Sequence, residues 1–345
     1  MTRDLIQSVI DAVPDPMLFI GPDGTIEHAN AAAIAMLGQW IIGRSHGAAL
    51  RQPALLSRIE AVQKGAPSAE ARIERSEQSG VTEYKVRIAS LPGQGAALLL
   101  HFTDITHLRE AEDMRRDFVA NVSHELRTPL TSVLGFIETL RGPARNDPDA
   151  QDRFLAIMED EARRMNRLIS DLLSLSKVEA VERKRPAEQI DLGVLLGSVV
   201  EALKPRADDA GNTLEVLRDD APALVQGDRD QLTQVFLNLA ENALKYGGPD
   251  KKVTIRLTRG QGRGLPKGET VTVDVIDEGP GIDPLHLPRL TERFYRIDAG
   301  RSREMGGTGL GLAIVKHIVN RHRGRLKITS HQGRGSTFSV QFPVD

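Results

Sequence analysis

Two long stretches of the chain carry apolar residues at steps of three and four. The first runs through Phe118, Val122, Leu126, Leu130, Val133, Ile137 and Leu140. The second runs through Phe154, Met158, Ala162, Met165, Ile169 and Leu172, with Leu168 and Leu175 alongside. That period gathers the apolar set on one face of a helix. It predicts a long helix opening at HLREAEDMRRDF and broken by RGPARNDPDA, then a second helix over 150–181. Two long helices with a short connection form an antiparallel hairpin. One hairpin leaves a wide apolar face uncovered, and pairing two hairpins into a four-helix bundle covers it. A homodimer is therefore expected.

Ahead of the hairpin the pattern is shorter and mixed. Residues 1–16 read as a short helix ended by Pro-Asp-Pro, and MLFIGPDGTIEHAN reads as strand, turn and strand. AAAIAML and ALLSRIEAV read as short helices, and AEARIERSE, VTEYKVRIASL and AALLLHFTDIT as three strands. A small antiparallel sheet with helices on one side fits that order. Behind the hairpin, ERKRPAEQ (182–189) is charged, contains proline and has no apolar period, so it reads as a linker. From there the expected order is helix 192–211, strand 213–217, helix 228–247, strands 252–259 and 270–277, helix 309–322, and strands 325–330 and 335–342, with GQGRGLPKG as a long hairpin loop. The fold class is multidomain α+β.

Composition narrows the function classes. The 345 residues are 40% hydrophobic and 27% charged, the balance of an ordinary folded chain. Aromatics are only 4%, so the cores must be mostly Leu, Ile, Val and Ala. A net charge of −2 gives no electrostatic case for nucleic acid. Without cysteine, disulfides, thiol chemistry, Fe–S clusters and covalent haem are excluded. No apolar run approaches the roughly 18 residues of a membrane span, and the acidic N-terminal stretch does not read as a signal peptide. The expectation is a cytoplasmic chain, with any membrane association left to partners or to an upstream segment.

Five stretches carry chemistry. NVSHELRTPL (121–130) sets His124 beside Glu125 on an amphipathic helix, then places Pro129 where a helix-interior proline costs about 3 kcal/mol. A lone helical histidine is ordinarily a solvated surface residue. In QVFLNLAENALKYG (234–247), Asn238 and Asn242 are four apart and share a helix face, with Lys245 three further on. Amide oxygens suit a Mg2+ ion held mostly by water and phosphates, and the lysine offers phosphate a point charge. Two such asparagines serve equally as surface or capping residues. In VIDEGPGI (275–282), Asp277 ends a strand and Gly279 and Gly281 follow. A carboxylate there accepts from an exocyclic amine such as that of adenine, although the composition is also that of a plain turn. In TERFYRID (291–298), Phe294 and Tyr295 pin a segment down or are simply core aromatics. In GGTGLGLAIVKHIV (306–319), a glycine-rich run enters an apolar helix whose first N–H groups suit phosphate. The polar stretch before it rules out the dinucleotide fingerprint, which needs a strand there.

In this order and spacing, NVSHELRTPL followed by the asparagine helix, Asp-x-Gly-x-Gly, the aromatic segment and the glycine-rich helix, with GRGSTFSVQFP behind, resembles the two-component sensor histidine kinases: their H, N, G1, F and G2 boxes. The wording of FVANVSHELRTPLTSVLGFIETL is similar to the phosphate-responsive, PhoR-type branch. Residues 1–106 resemble a PAS sensor domain, including the closing Asp-Ile-Thr. The resemblance implies a PAS-like domain over 1–106, a dimerising histidine phosphotransfer hairpin over 107–181, a linker at 182–189 and a Bergerat-type α/β-sandwich ATP-binding domain over 190–345. It implies ATP and Mg2+ as nucleotide and metal, and His124 as phosphoacceptor, with Glu125 orienting it and taking its proton. It puts Mg2+ on Asn242 with Asn238 assisting, Lys245 on phosphate, Tyr246 against adenine and Asp277 on the adenine amine, with Gly279 and Gly281 giving room. Residues 283–308, including Phe294, become a flexible lid. Gly307, Gly309, Leu310 and Gly311 hold the phosphates, and Thr337 adds a polar contact near the adenine. The partner is a response regulator of the OmpR/PhoB kind, which receives the phosphoryl group on an aspartate, and Thr128 supports its dephosphorylation. The alternatives are a degenerate nucleotide-binding scaffold, or an Hsp90- or gyrase-like ATPase, which lacks the H-box helix. His28, His46 and His101 raise haem as a PAS ligand, against the plainer reading of packed or exposed histidines.

Overall fold

The computed structural model describes residues 3–77, 80–91, 96–181, 185–219, 221–261, 269–298, 300 and 306–344. The chain forms two compact units, residues 1–120 and 121–345.

The first unit is built on a five-stranded antiparallel sheet in the order β2-β1-β5-β4-β3. The strands are β1 (Met17–Ile20), β2 (Ile26–Ala29), β3 (Ser68–Glu77), β4 (Gly80–Ser90) and β5 (Leu98–Asp104). Alternation along β1 explains its two covered faces. Leu18 and Ile20 enter the main core with residues of α2 (Ala31–Leu37), α3 (His46–Leu50) and α4 (Pro53–Gln63). Met17 and Phe19 pack instead with Ile6 and Ile10 of α1 (Arg3–Asp11). Buried Asn30 ties these parts together. Its side chain caps α2 at Ala33 N–H, accepts from Met17 N–H, and donates to the carbonyls of Ile10, Val13 and Asp15. The three histidines do not converge: His28 meets Asp11, His101 meets Asp15, and His46 meets the Gly24 carbonyl.

The long helix α5 (Thr106–Arg141) starts in the first unit and continues into the second. The boundary expected at 106–107 is therefore a helix start, not a gap between compact units. The Asp-Ile-Thr sequence makes that start stiff. Asp104 accepts from both the N–H and the hydroxyl of Thr106, which hold its carboxyl below the usual range. The Thr106 hydroxyl oxygen accepts from Glu83 N–H on β4.

In the second unit α5 turns back into α6 (Pro148–Val181), with Phe136 and Phe154 stacked at 5.2 Å across the hairpin. Leu168, Leu175 and Val178 are buried, whereas Leu130, Leu134, Ile137, Leu155, Ile157, Ile169 and Leu173 stay exposed. The remainder is a sandwich. One layer is the mixed sheet β11-β12-β10-β9-β7, in which only β7 and β9 run parallel. Its strands are β7 (Thr213–Leu217), β9 (Lys252–Gln261), β10 (Glu269–Asp277), β11 (Arg325–His331) and β12 (Gly335–Pro343). The other layer is α7 (Leu192–Asp209), α8 (Arg229–Gly247) and α9 (Gly311–Arg321). Phe236, Leu239, Val273, Val275, Ile314, Ile318, Val340 and Phe342 form the dry middle.

One pair of strands departs from expectation. Glu188 and Gln189, read as linker, belong to β6 (Glu188–Asp191), which pairs with β8 (Leu224–Gly227). Two four-residue strands have no local period long enough to read. They exist because Ile190 and Val225 are buried together by residues far apart in sequence. Residues 182–184 of the expected linker, and 262–268 of the expected hairpin loop, lie outside the described residues.

Candidate active site

His124 is exposed on α5, and Glu125 beside it turns into the hairpin. Pro129 is buried and has no N–H to offer the Glu125 carbonyl one turn back. Three hydroxyls add to this local weakness by bonding carbonyls four residues earlier. Thr128 donates to His124, Thr131 to Arg127 and Ser132 to Thr128, at 3.2, 2.9 and 3.3 Å. Such back-bonding slightly destabilises and bends helices. α5 nevertheless runs unbroken through the proline.

The Glu125 carboxylate is held by two arginines that both reach Oε2. Arg164 Nη2 comes from α6 at 2.9 Å, and Arg296 Nη2 comes from the segment before α9 at 3.1 Å. Side-chain exposures are only 17% for Glu125, 13% for Arg164 and 7% for Arg296. The sequence reading missed both arginines. Helical spacing shows which residues share a face of one helix, not which residue on another element will meet it.

The motifs expected to hold nucleotide converge at one edge of the sandwich. Asn238, Asn242 and Lys245 lie on one stripe of α8. Asn238 faces Gly311 at the start of α9, where a Cβ would sit 3.4 Å from its Oδ1. Its Nδ2 is buried without a hydrogen-bond partner. Leu310, the residue before α9, makes no side-chain cap, so the N–H groups of the first turn from Gly311 on are available. An orphaned amide facing an uncapped helix start fits a triphosphate with its metal ion. Lys245 is half-buried and burial pushes its ammonium below the usual range; its Nζ lies 4.9 Å over the Tyr246 ring.

Asp277 ends β10 at 7% exposure. Its Oδ1 accepts from the N–H groups of Gly279 at 2.9 Å and Ser336 at 3.3 Å. Burial pushes the carboxyl up, and these bonds oppose the shift.

Two expectations are corrected here. The room made by Gly279 and Gly281 is filled by the protein's own backbone. A Cβ at 279 would meet Gly247 Cα at 2.9 Å, and one at Gly281, where φ is +73°, would collide with the His331 carbonyl. Thr337 does not share the face of Asp277. Asp277 pairs with Ser336 and Ile276 with Thr337, so the alternation of β12 turns Thr337 to the other side. Ser336 takes the place expected of Thr337.

The segment 283–308 is described at 283–298, 300 and 306–308 and is held at both flanks. The expectation of a flexible lid over 299 and 301–305 lies outside the described residues. Phe294 adopts φ +64° and donates its N–H to the Gly309 carbonyl at 2.9 Å, while Gly309 at φ +74° leaves space for that close approach. Phe294 therefore shapes the glycine run. The Tyr295 hydroxyl meets His286 at 2.7 Å. Arg293 and His317 both meet Glu179 of α6. Thr308 donates to Asp171 of α6 at 2.6 Å, and Leu310 N–H reaches the Thr308 hydroxyl oxygen. Burial pushes the Asp171 carboxyl up, against the Thr308 bond. A Cβ at Gly306 would sit 2.9 Å from the Arg167 guanidinium, and Gly307 lies between Gly306 and Thr308.

Comparison with known proteins gives three family matches. Residues 227–345 match the histidine kinase-, DNA gyrase B- and HSP90-like ATPase family, residues 114–181 the His Kinase A (phospho-acceptor) domain, and residues 4–69 a PAS domain. The chain is 37% identical to the phosphate regulon sensor protein PhoR of Pseudomonas aeruginosa, over 98% of this chain and 74% of that protein. It is 33% identical to the sensor protein kinase WalK of Staphylococcus epidermidis, over 99% of this chain and 55% of that protein. Among solved structures, the Acinetobacter baumannii histidine kinase AdeS aligns over 64% of this chain and 98% of that one, at 25% identity and a TM-score of 0.49.

Proposed function

Since the chain belongs to the sensor histidine kinases of two-component systems, we propose that His124 is its phosphoacceptor and Glu125 its proton acceptor. One imidazole nitrogen attacks the γ-phosphorus of ATP. The N–P bond forms as the bond from that phosphorus to the bridging oxygen breaks, and ADP leaves with the electron pair. The proton on the other ring nitrogen passes to the Glu125 carboxylate. Neutral imidazole is populated near pH 7, which suits a histidine nucleophile. The observation that carries this reading is the exposed His124 next to a carboxylate fixed by Arg164 and Arg296. Incubation with γ-labelled ATP tests it. Acid-labile, alkali-stable label on His124 is the expected result, and label on another residue overturns it.

The residues that would hold ATP are Asp277 at the adenine amine, Tyr246 beside the ring, Lys245 and the 307–311 run at the phosphates, and Asn242 with Asn238 at Mg2+. Mg2+ supplies charge neutralisation between the phosphates. The chain's own residues position and neutralise, which is most of what phosphoryl transfer requires.

The phosphoryl group then goes to an aspartate of a response regulator, of the OmpR/PhoB kind. We place the chain in the phosphate-responsive branch because, over nearly its whole length, it is 37% identical to PhoR and 33% identical to WalK. Among the described residues no helix is long and apolar enough to cross a membrane. An ATP-consuming kinase works on the cytoplasmic side, where ATP is available. The exposed apolar row on α5 and α6 is the surface that a second copy covers, giving the four-helix bundle.

The same stretch supports dephosphorylation of the regulator. Thr128 lies one turn after His124 with its hydroxyl toward that turn, placed to hold the attacking water. Thr128→Ala should slow regulator dephosphorylation by about tenfold, one transition-state hydrogen bond's worth, and leave autophosphorylation within about twofold. An unchanged rate removes Thr128 from this role. Pro129→Ala returns an N–H to the Glu125 carbonyl and stiffens the turn below His124. The kinase-to-phosphatase ratio should shift by about fivefold or more, using about 1 of the 3 kcal/mol at stake in a helix-interior proline, with ATP affinity within about twofold. Parallel assays of both activities and of nucleotide binding check this.

A further inference from the structure

We propose that Arg164 is a positioning residue for the phosphotransfer reaction: it holds the Glu125 carboxylate in register across the hairpin through every stage of the cycle. The inference rests on the role given to Glu125. Pro129 leaves the Glu125 carbonyl without its helical donor, so the backbone ladder lacks one bond at this residue. The restraint comes from the other helix. Arg164 Nη2 meets Glu125 Oε2 at 2.9 Å, and its Nη1 lies 3.5 Å from the Glu161 carboxylate one turn earlier on α6, a longer ion pair without a hydrogen bond. The pair sits in a small cavity with Pro129, Met165 and Leu168, where water gives little competition.

The second arginine on the same oxygen has a different attachment. Arg296 belongs to the segment joining the G1 and G2 motifs, outside the hairpin. Arg296 is carried by the ATP-binding sandwich, so its contact with Glu125 is free to be lost when that sandwich moves nucleotide toward a histidine. Arg164 shares the hairpin with Glu125 and stays. A carboxylate buried this far requires a partner, and Arg164 is the one that remains through the transfer. The planar guanidinium also fixes direction, which a lysine ammonium does not.

The test is a double-mutant cycle on the full chain with γ-labelled ATP. Arg164→Ala and Arg164→Gln should each lower the saturating autophosphorylation rate at least about tenfold and leave the half-saturating ATP concentration within about twofold, since only a transition-state contribution is removed. Arg164→Lys, which restores the charge without the planar fork, should recover only part of the loss and stay at least about threefold below wild type. In a Glu125→Gln background, Arg164→Ala should add less than about twofold, because both changes remove one interaction. The dimer population by light scattering should be unchanged in Arg164→Gln. A full-size further loss in the Glu125→Gln background, a change in ATP dependence without a change in rate, or a wild-type rate in both Ala and Gln variants overturns the proposal. A wild-type rate in Glu125→Gln alone overturns the reading of Glu125 instead.

Discussion

His124→Gln is expected to reduce label transfer from γ-labelled ATP to background, with nucleotide binding intact. Gln has a helix propensity at least as good as His, and His124 is exposed. A surface exchange of this kind changes stability by about 0.5 kcal/mol or less. What disappears is the nucleophile, because the amide nitrogen's lone pair is delocalised and no imidazole remains to accept phosphorus. The loss should be at least about a thousandfold, the scale seen when a covalent nucleophile is removed. The rest of the apparatus is separate in the chain. Asn238, Asn242, Asp277 and the 307–311 run lie in the sandwich, so a fluorescent nucleotide should bind the variant as it binds the wild type. Label persisting in the variant would show that another residue accepts the phosphoryl group. Loss of nucleotide binding would show that the variant had perturbed more than the nucleophile.

The second large effect is expected at Asp277. Asp277→Asn should weaken ATP binding by about a hundredfold while the fold is kept. Both backbone donors, from Gly279 and Ser336, fall on Oδ1. In the asparagine the remaining oxygen keeps those two bonds, and the NH2 group takes the place of Oδ2. An adenine amine arriving there then meets a donor where it needs an acceptor. Losing a bond to a charged group and leaving two donors facing each other costs about 3 kcal/mol, which is about a hundredfold in affinity. Isothermal titration with a non-hydrolysable ATP analogue measures it; wild-type affinity in the variant would remove Asp277 from the adenine site.

The raised Asp277 pKa also sets two opposite pH trends. Because burial lifts the carboxyl above its unfolded value, this group's contribution to folding is fully present below the ordinary carboxylate range. It is lost as pH rises through the raised value. Nucleotide affinity runs the other way, since the ionised form is the better acceptor. On acidification, binding should begin to fall above the pH at which an ordinary aspartate titrates. The Asp277→Asn variant should lack that limb.

Much of this was legible in local pattern. Apolar steps of three and four located α5 and α6 because a helix repeats every 3.6 residues whatever it packs against. Period-two runs located β3, β4 and β5 to within two residues of their observed ends, and Asp-Ile-Thr marked the start of α5 because its bonds are local. The strands β6 and β8 were not legible. Each is four residues long, and each owes its existence to a partner more than thirty positions away.

At the site the same division holds. His124, Glu125, Asn238, Asn242, Asp277 and the glycine run are spaced along single elements, so the sequence by itself placed them on their helices and strand ends. Which face a strand residue takes depends on register, and only the pairing of Asp277 with Ser336 showed that Ser336, not Thr337, meets the carboxylate. The glycines Gly279 and Gly281 could be read as open space until His331 and Gly247 were seen to fill it. The two arginines on Glu125 come from positions 39 and 171 residues away. No period in the chain encodes such a meeting. It follows from the packing of α6 and the segment carrying Arg296 against α5, because a buried charge is satisfied by whatever the folded chain brings to it.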